Sequence, residues 1–129
     1  MFIWKEAYNT GLPEIDAQHQ RLFELGSEIF SLVNAKDGAD HYDEIIAILD
    51  DLREYTIYHF DFEEKYQQSI GYENFEEHKE LHDKLIDKLT NIETEDIDSM
   101  QGHVMIQLLD FIANWIGNHI LKEDFKYLK

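Results

Sequence analysis

Cysteine is absent from the 129 residues, which excludes a disulfide framework, thiolate metal sites and thiol nucleophiles and leaves metal chemistry to imidazole and carboxylate. Basic side chains are scarce as well, 11 against 28 acidic ones for a formal net charge of -17. Such a surface repels phosphate backbones and anionic bilayers wherever salt does not screen it, so neither nucleic acid nor a membrane is an expected partner. No stretch approaches the ~18 apolar residues of a membrane span, and the opening Met1-Phe2-Ile3-Trp4-Lys5-Glu6 lacks the basic region and apolar run of a signal peptide. A cytoplasmic protein is expected. Proline occurs only at Pro13 and glycine six times, so few breakers interrupt the long segments between them.

Those segments carry apolar residues every three or four positions, the period of a helix. The first, from about Glu14 to Asn34, aligns Ile15, Leu22, Phe23, Ile29, Phe30 and Val33, and gives way to the polar run Ala35 to Ala39. Asp40 can cap the second, which runs to about Ile70 with Ile45, Ile48, Leu52, Tyr55, Phe62 and Tyr66, and Gly71 stands where a C-terminal glycine cap belongs. Asn74 and Glu77 have the spacing of a capping box opening a third segment with Phe75, Leu81, Leu85, Leu89 and Ile92. The acidic stretch Glu93 to Asp98 reads as the third connection. A fourth segment from about Ser99 to the C-terminus carries Met105, Leu108, Ile112 and Trp115, with Lys122, Lys126 and Lys129 suited to its dipole. Short connections join antiparallel neighbours, so the expectation is an all-α, up-down-up-down four-helix bundle over about residues 14–129, preceded by an aromatic arm at 1–13 with Phe2, Trp4 and Tyr8. The whole chain reads as one domain.

Histidines continue these apolar stripes. Four residues beyond Tyr55 comes His59, and four further comes Glu63; Trp115 leads by four to His119. His78 and His82 share phase with Leu85 and Leu89, and His19 lies between Ile15 and Leu22. Residues four apart have Cβ atoms about 5 to 6 Å apart on one face, so His59 with Glu63, and His78 with His82, can reach one metal or two adjacent ones. His19 and His78 lie near the starts of their helices and His59 and His119 near the ends of theirs, all at the same end of an up-down-up-down bundle. A single inward histidine is ordinarily a hydrogen-bonded core residue, but a cluster of this size without a metal would leave each desolvated imidazole uncompensated. His41, beside a cap, and His103, at the far end, read as surface residues.

Nitrogen and oxygen donors without sulfur suit iron, manganese or zinc, and the set is too large for one ion, so two are implied. The stretches Trp4 to Gly11, Ile15-Asp16-Ala17-Gln18-His19, His59-Phe60-Asp61-Phe62-Glu63, His78-Lys79-Glu80-Leu81-His82 and His119-Ile120-Leu121-Lys122-Glu123-Asp124 together resemble the hemerythrins, in particular their single-domain bacterial members, over nearly the whole chain. The resemblance implies two irons with a bridging oxo or hydroxo group, His78, His82 and His119 holding one, His19 and His59 the other, and Glu63 and Asp124 bridging. It also implies reversible dioxygen binding at the iron held by two histidines, with Phe60, Trp115 and Leu121 lining the pocket and Trp4 and Tyr127 near the cluster. Asp124 rests mainly on this resemblance, because five residues after His119 it stands about 140° round an ideal helix. With both carboxylates bridging, two octahedra keep a single vacancy, which suits a small diatomic.

Ferritin-like oxidases use paired Glu-x-x-His motifs, and no histidine here has a glutamate three residues before it. His78-Lys79-Glu80-Leu81-His82 differs from the zinc protease motif, which needs Glu directly after the first His. The expectation is an oxygen-binding protein rather than an enzyme. An oxygen or redox sensor acting on a separate partner, and protective chemistry on nitric oxide or peroxide, stay open because they need the same ligands.

Overall fold

The computed structural model describes residues 2–34, 42–94 and 102–128. Four helices form the bundle: α1 (Pro13–Val33), α2 (Tyr42–Ser69), α3 (Phe75–Thr94) and α4 (Gly102–His119). A π-helical turn, Ile120–Asp124, carries α4 on into the short α5, Phe125–Leu128. α1 packs against α2 and α4, and α2 against α3. No strand occurs among the described residues, and no helix is long and apolar enough to cross a membrane.

The helix ends have local causes. Pro13 occupies the first turn of α1, where its missing N–H leaves no bond unmade. Just ahead of it, the Thr10 N–H and hydroxyl both donate to Asp16 Oδ1 at 2.8 and 2.7 Å, fastening the arm to the helix. α2 stops at Gly71, whose φ of 68° is open to glycine at little cost. The Tyr72 N–H then bonds the Gln67 carbonyl at 2.9 Å and the Gly71 N–H bonds that of Gln68 at 3.2 Å, the paired bonds of a Schellman motif. This turn sets the direction in which α3 leaves. α3 continues to Thr94, so Glu93 and Thr94 are helical and not part of a connection. Asp40 and the remainder of the acidic connection lie outside the described residues.

The core runs through Ile15, Leu22, Leu25, Ile29, Leu49, Leu52, Leu85, Leu89, Leu109, Ile112 and Ile116, all buried. In α2 the fully buried line is Leu49, Leu52, Thr56, His59, Glu63 and Gln67, while Ile45, Ile48 and Tyr55 are half-buried beside it. The apolar pattern of α2 was thus about one residue out of phase, because Thr56 occupies a core position. Its hydroxyl bonds the Leu52 carbonyl at 2.6 Å, which removes most of the penalty for burying it.

The aromatic arm closes over α1. Phe2, Trp4 and Tyr8 surround Phe23 with ring centroids at 6.3, 5.5 and 5.2 Å. A Cβ at Gly26 would stand 2.4 Å from the Phe2 ring, so only a residue without a side chain lets the arm seat there. Gly26→Ala is expected to cost about 1–3 kcal/mol through this overlap, or to release the arm. Urea unfolding with Trp fluorescence checks both outcomes.

Candidate metal centre

Each helix brings its histidine inward for the reason that it brings leucine inward one turn away. His59, Glu63 and Gln67 follow one another at four-residue steps on α2, and His78 and His82 do so on α3. All seven side chains expected at the site, His19, His59, Glu63, His78, His82, His119 and Asp124, are buried, none more than 7% exposed. Their donor atoms form two groups sharing one residue: Glu63, His78, His82, His119 and Asp124, and His19, His59 and Glu63.

The carboxylates span both groups. Glu63 Oε1 lies 3.0 Å from His19 Nε2 and 2.5 Å from His59 Nε2, while Oε2 lies 3.5 Å from His82 Nε2 and 3.8 Å from His78 Nε2. Asp124 Oδ2 is 3.3 Å from His19 Nε2, and Oδ1 is 3.1 and 3.3 Å from the Nε2 atoms of His78 and His119. Each acid therefore presents one oxygen to each set of imidazoles.

Asp124 reaches this position through the π-helical turn. The Phe125 N–H bonds the carbonyl of Ile120, five residues back, so one extra residue is taken up per turn. The fifth residue after His119 then falls where the fourth would on an α-helix, on the same face. An ideal α-helix after His119 would have sent Asp124 elsewhere.

The donor set fits a pair of cations. His119 Nε2 lies 3.0 Å from His78 Nε2 and 3.1 Å from His82 Nε2. Nitrogens bound at right angles to one ion, with bonds of about 2.1 Å, stand about 3 Å apart. Both oxygens of Asp124 are buried with no hydrogen bond; the imidazoles at 3.1–3.3 Å do not meet them in bonding geometry. A bare carboxylate so placed is costly unless a cation shares it.

Partners behind the imidazoles orient two of them. The His59 Nδ1–H donates to Gln18 Oε1 at 2.6 Å, and the His82 Nδ1–H donates to Glu64 Oε2 at 3.0 Å. Both acceptors leave Nε2 as the lone-pair nitrogen facing inward. The Tyr127 hydroxyl donates to Glu63 Oε2 at 2.9 Å. Burial and the adjacent acids raise its pKa, so it stays a donor. Gln67, fully buried one turn past Glu63, has neither amide atom in a hydrogen bond. Gln18, Glu64 and Gln67 were not singled out from sequence, although each neighbours a ligand or sits one turn from it.

Two rings wall the cluster. Phe60 stacks on His82 at 3.7 Å with 2° between planes, and Trp115 on His119 at 4.6 Å and 11°. Against His19, His59, His119 and Asp124 lies a largely apolar cavity of about 10 Å³ walled by Leu22, Thr56, Phe60, Leu85, Trp115, Ile116 and Ile120, about one water-sized sphere. Leu121, expected in this wall, is 41% exposed; its neighbour Ile120 occupies the place, since the π-helical turn aims Ile120 and Asp124 inward. Trp4 packs on Tyr8 and Phe23. His41 and the side chain of His103 lie outside the described residues.

A four-helix bundle with such a paired imidazole and carboxylate cluster in its core is a metal-binding bundle protein. The profile of the hemerythrin HHE cation binding domain matches residues 10–129. A bacteriohemerythrin of Clostridium acetobutylicum is 38% identical over 99% of both chains. One from Pseudomonas aeruginosa is 30% identical over 98% of this chain and 78% of its own, and hemerythrin subunit alpha of Lingula anatina is 29% identical over 98% and 92%. A crystal structure of wild-type hemerythrin superposes with a TM-score of 0.81 at 27% identity, covering 98% of this chain and 94% of that one. The chain belongs to the hemerythrin family.

Without metal, burial alone would hold His19 and His78 below their ordinary pKa, but the close carboxylates of Asp124 and Glu63 outweigh it and push both up to about 9. Burial likewise opposes ionisation of Glu63 and Asp124, and the surrounding imidazoles overcome it and hold both carboxyls below their usual range. The raised histidines stabilise the metal-free fold fully below their unfolded pKa of about 6.5, and that contribution is lost as pH rises through about 9. The depressed acids contribute above about pH 4 and lose it as pH falls. The urea midpoint of metal-free protein is expected to decline on both sides of that plateau. Metal loading at pH 7 is expected to release about two protons per chain, one from each raised histidine, measurable by calorimetry in buffers of different ionisation enthalpy.

Proposed function

We propose that this chain binds dioxygen reversibly at a pair of irons, as a carrier or store rather than an enzyme. His78, His82 and His119 would hold one iron, His19 and His59 the other, and Glu63 and Asp124 would bridge them. When bound, such a pair supplies two electrons, one from each ion, to a small diatomic and recovers them on its release. The observation that carries this reading is the small cavity against the cluster, which touches both histidines of the group with fewer protein donors, His19 and His59, and only His119 and Asp124 of the other.

The protein's own contribution is selection and exclusion. A cavity of about 10 Å³ admits a diatomic and rejects substrates of metabolite size, and apart from the donors and Thr56, whose hydroxyl is bonded to the Leu52 carbonyl, its walls are aliphatic and aromatic and offer little to stabilise a separated charge. The stacked rings of Phe60 and Trp115 keep bulk water from the imidazoles, which favours release of the ligand unchanged over onward reaction. Tyr127 holds the shared carboxylate of Glu63 in place. These features favour carriage over chemistry on the bound ligand.

Purified protein is expected to contain two irons per chain, and the spectrum of the reduced form is expected to change on adding oxygen and revert on removing it. Irreversible oxidation on first exposure would count against carriage. Ile120→Phe, which fills the cavity without replacing a donor, is expected to keep both irons and weaken oxygen binding by about tenfold, equivalent to about 1.4 kcal/mol.

A further inference from the structure

The two imidazoles with side-chain partners behind them are not backed alike. His59, in the group with His19, donates its Nδ1–H to the neutral amide oxygen of Gln18 at 2.6 Å. His82, in the group with His78 and His119, donates to the carboxylate of Glu64 at 3.0 Å. Both histidines are 1% exposed, and the Glu64 side chain is 18% exposed. Glu64 directly follows Glu63 on α2 and faces His82 on α3, so it reaches the cluster from behind and contributes no donor to either group.

An acceptor behind an imidazole does two separable things. It fixes the tautomer and ring plane, which an amide oxygen does as well as a carboxylate. A carboxylate also draws the Nδ1 proton toward itself, so that Nε2 becomes a stronger donor and the environment of the ion gains negative charge. Stronger donation and added negative charge both favour the more oxidised ion.

We infer that Glu64 is a positioning residue that makes the three-histidine metal position the more electron-rich of the two, while Gln18 orients His59 without adding charge at the position held by His19 and His59. The asymmetry has a functional sense. The position held by His78, His82 and His119 would then favour electron loss, while the position held by His19 and His59 would keep a weaker pull on a ligand and let it leave. This inference rests on the di-iron reading above.

The experiment compares wild type with Glu64→Gln, Glu64→Ala and Gln18→Glu, each loaded with iron and assayed for iron content, midpoint potential and resistance to a chelator. Iron content of wild type tests the di-iron reading by itself. Glu64→Gln keeps an acceptor and removes the charge: it is expected to retain both irons and to have a raised midpoint potential. Glu64→Ala removes the acceptor and is expected to lose iron to the chelator about 10–100-fold more readily. Gln18→Glu is expected to lower the potential. Nitrogen-15 NMR of metal-free protein supplies a readout independent of iron, with His82 expected as the Nδ1–H tautomer in wild type and in Glu64→Gln. An unchanged potential in Glu64→Gln with two irons bound would overturn the electronic role, and an Nε2–H tautomer of His82 in wild type would overturn the geometry.

Discussion

Five imidazoles and two carboxylates share the interior of a small helical bundle, and the carboxylates have no exposure above 1%. In a low-dielectric core such a cluster is tolerable only when opposite charge lies within it. The acids draw protons onto His19 and His78 when metal is absent, and a pair of cations can take the place of those protons. The rest of the architecture serves this exchange. Four helices deliver donors to one level of the core, so no single segment has to fold around the ions. Leucine and isoleucine fill the remainder of each stripe, and their burial offsets what the polar level costs.

The same demand explains the irregular features of the chain. An α-helix cannot place both His119 and Asp124 on one narrow face, and the π-helical turn between them does so by taking up one extra residue. Gly71 with its left-handed backbone turns the chain so that α3 can bring His78 and His82 up to Glu63. Around the donors, oxygen acceptors on Gln18 and Glu64 hold two imidazoles with Nε2 inward, and Tyr127 holds Glu63. Orientation is thereby settled by groups outside the cluster, leaving the inner atoms free for metal.

Apolar walls complete the arrangement. Phe60 and Trp115 each stack on an imidazole while also facing the cavity, so the groups that exclude water also hold the ligand rings in plane. The cavity is small because Ile116 and Ile120 close it from α4 and the π-helical turn, which are the elements that carry His119 and Asp124. Ligand placement and pocket size thus depend on the same stretch of backbone.

Much of this was legible in the residue pattern. Histidines in phase with leucines, together with their positions near helix starts or ends, placed six of the seven clustered side chains at one level of the core, and resemblance added Asp124. Helical class and topology followed from period and short connections. The pattern could not place Thr56 in the core, because a threonine satisfied by its own helix carbonyl looks polar in sequence. Leu121 was placed in the pocket by resemblance, and in this chain Ile120 lines the cavity while Leu121 is exposed. Nor does any local signal reveal that Gln18 on α1 meets His59 on α2, or that Glu64 on α2 meets His82 on α3. The sequence by itself determined which residue types share a face, since that depends only on the repeat of a single helix. Which oxygen stands behind which imidazole, and which isoleucine closes the cavity, were decided by packing between helices, where a local change of pitch redirects every side chain beyond it.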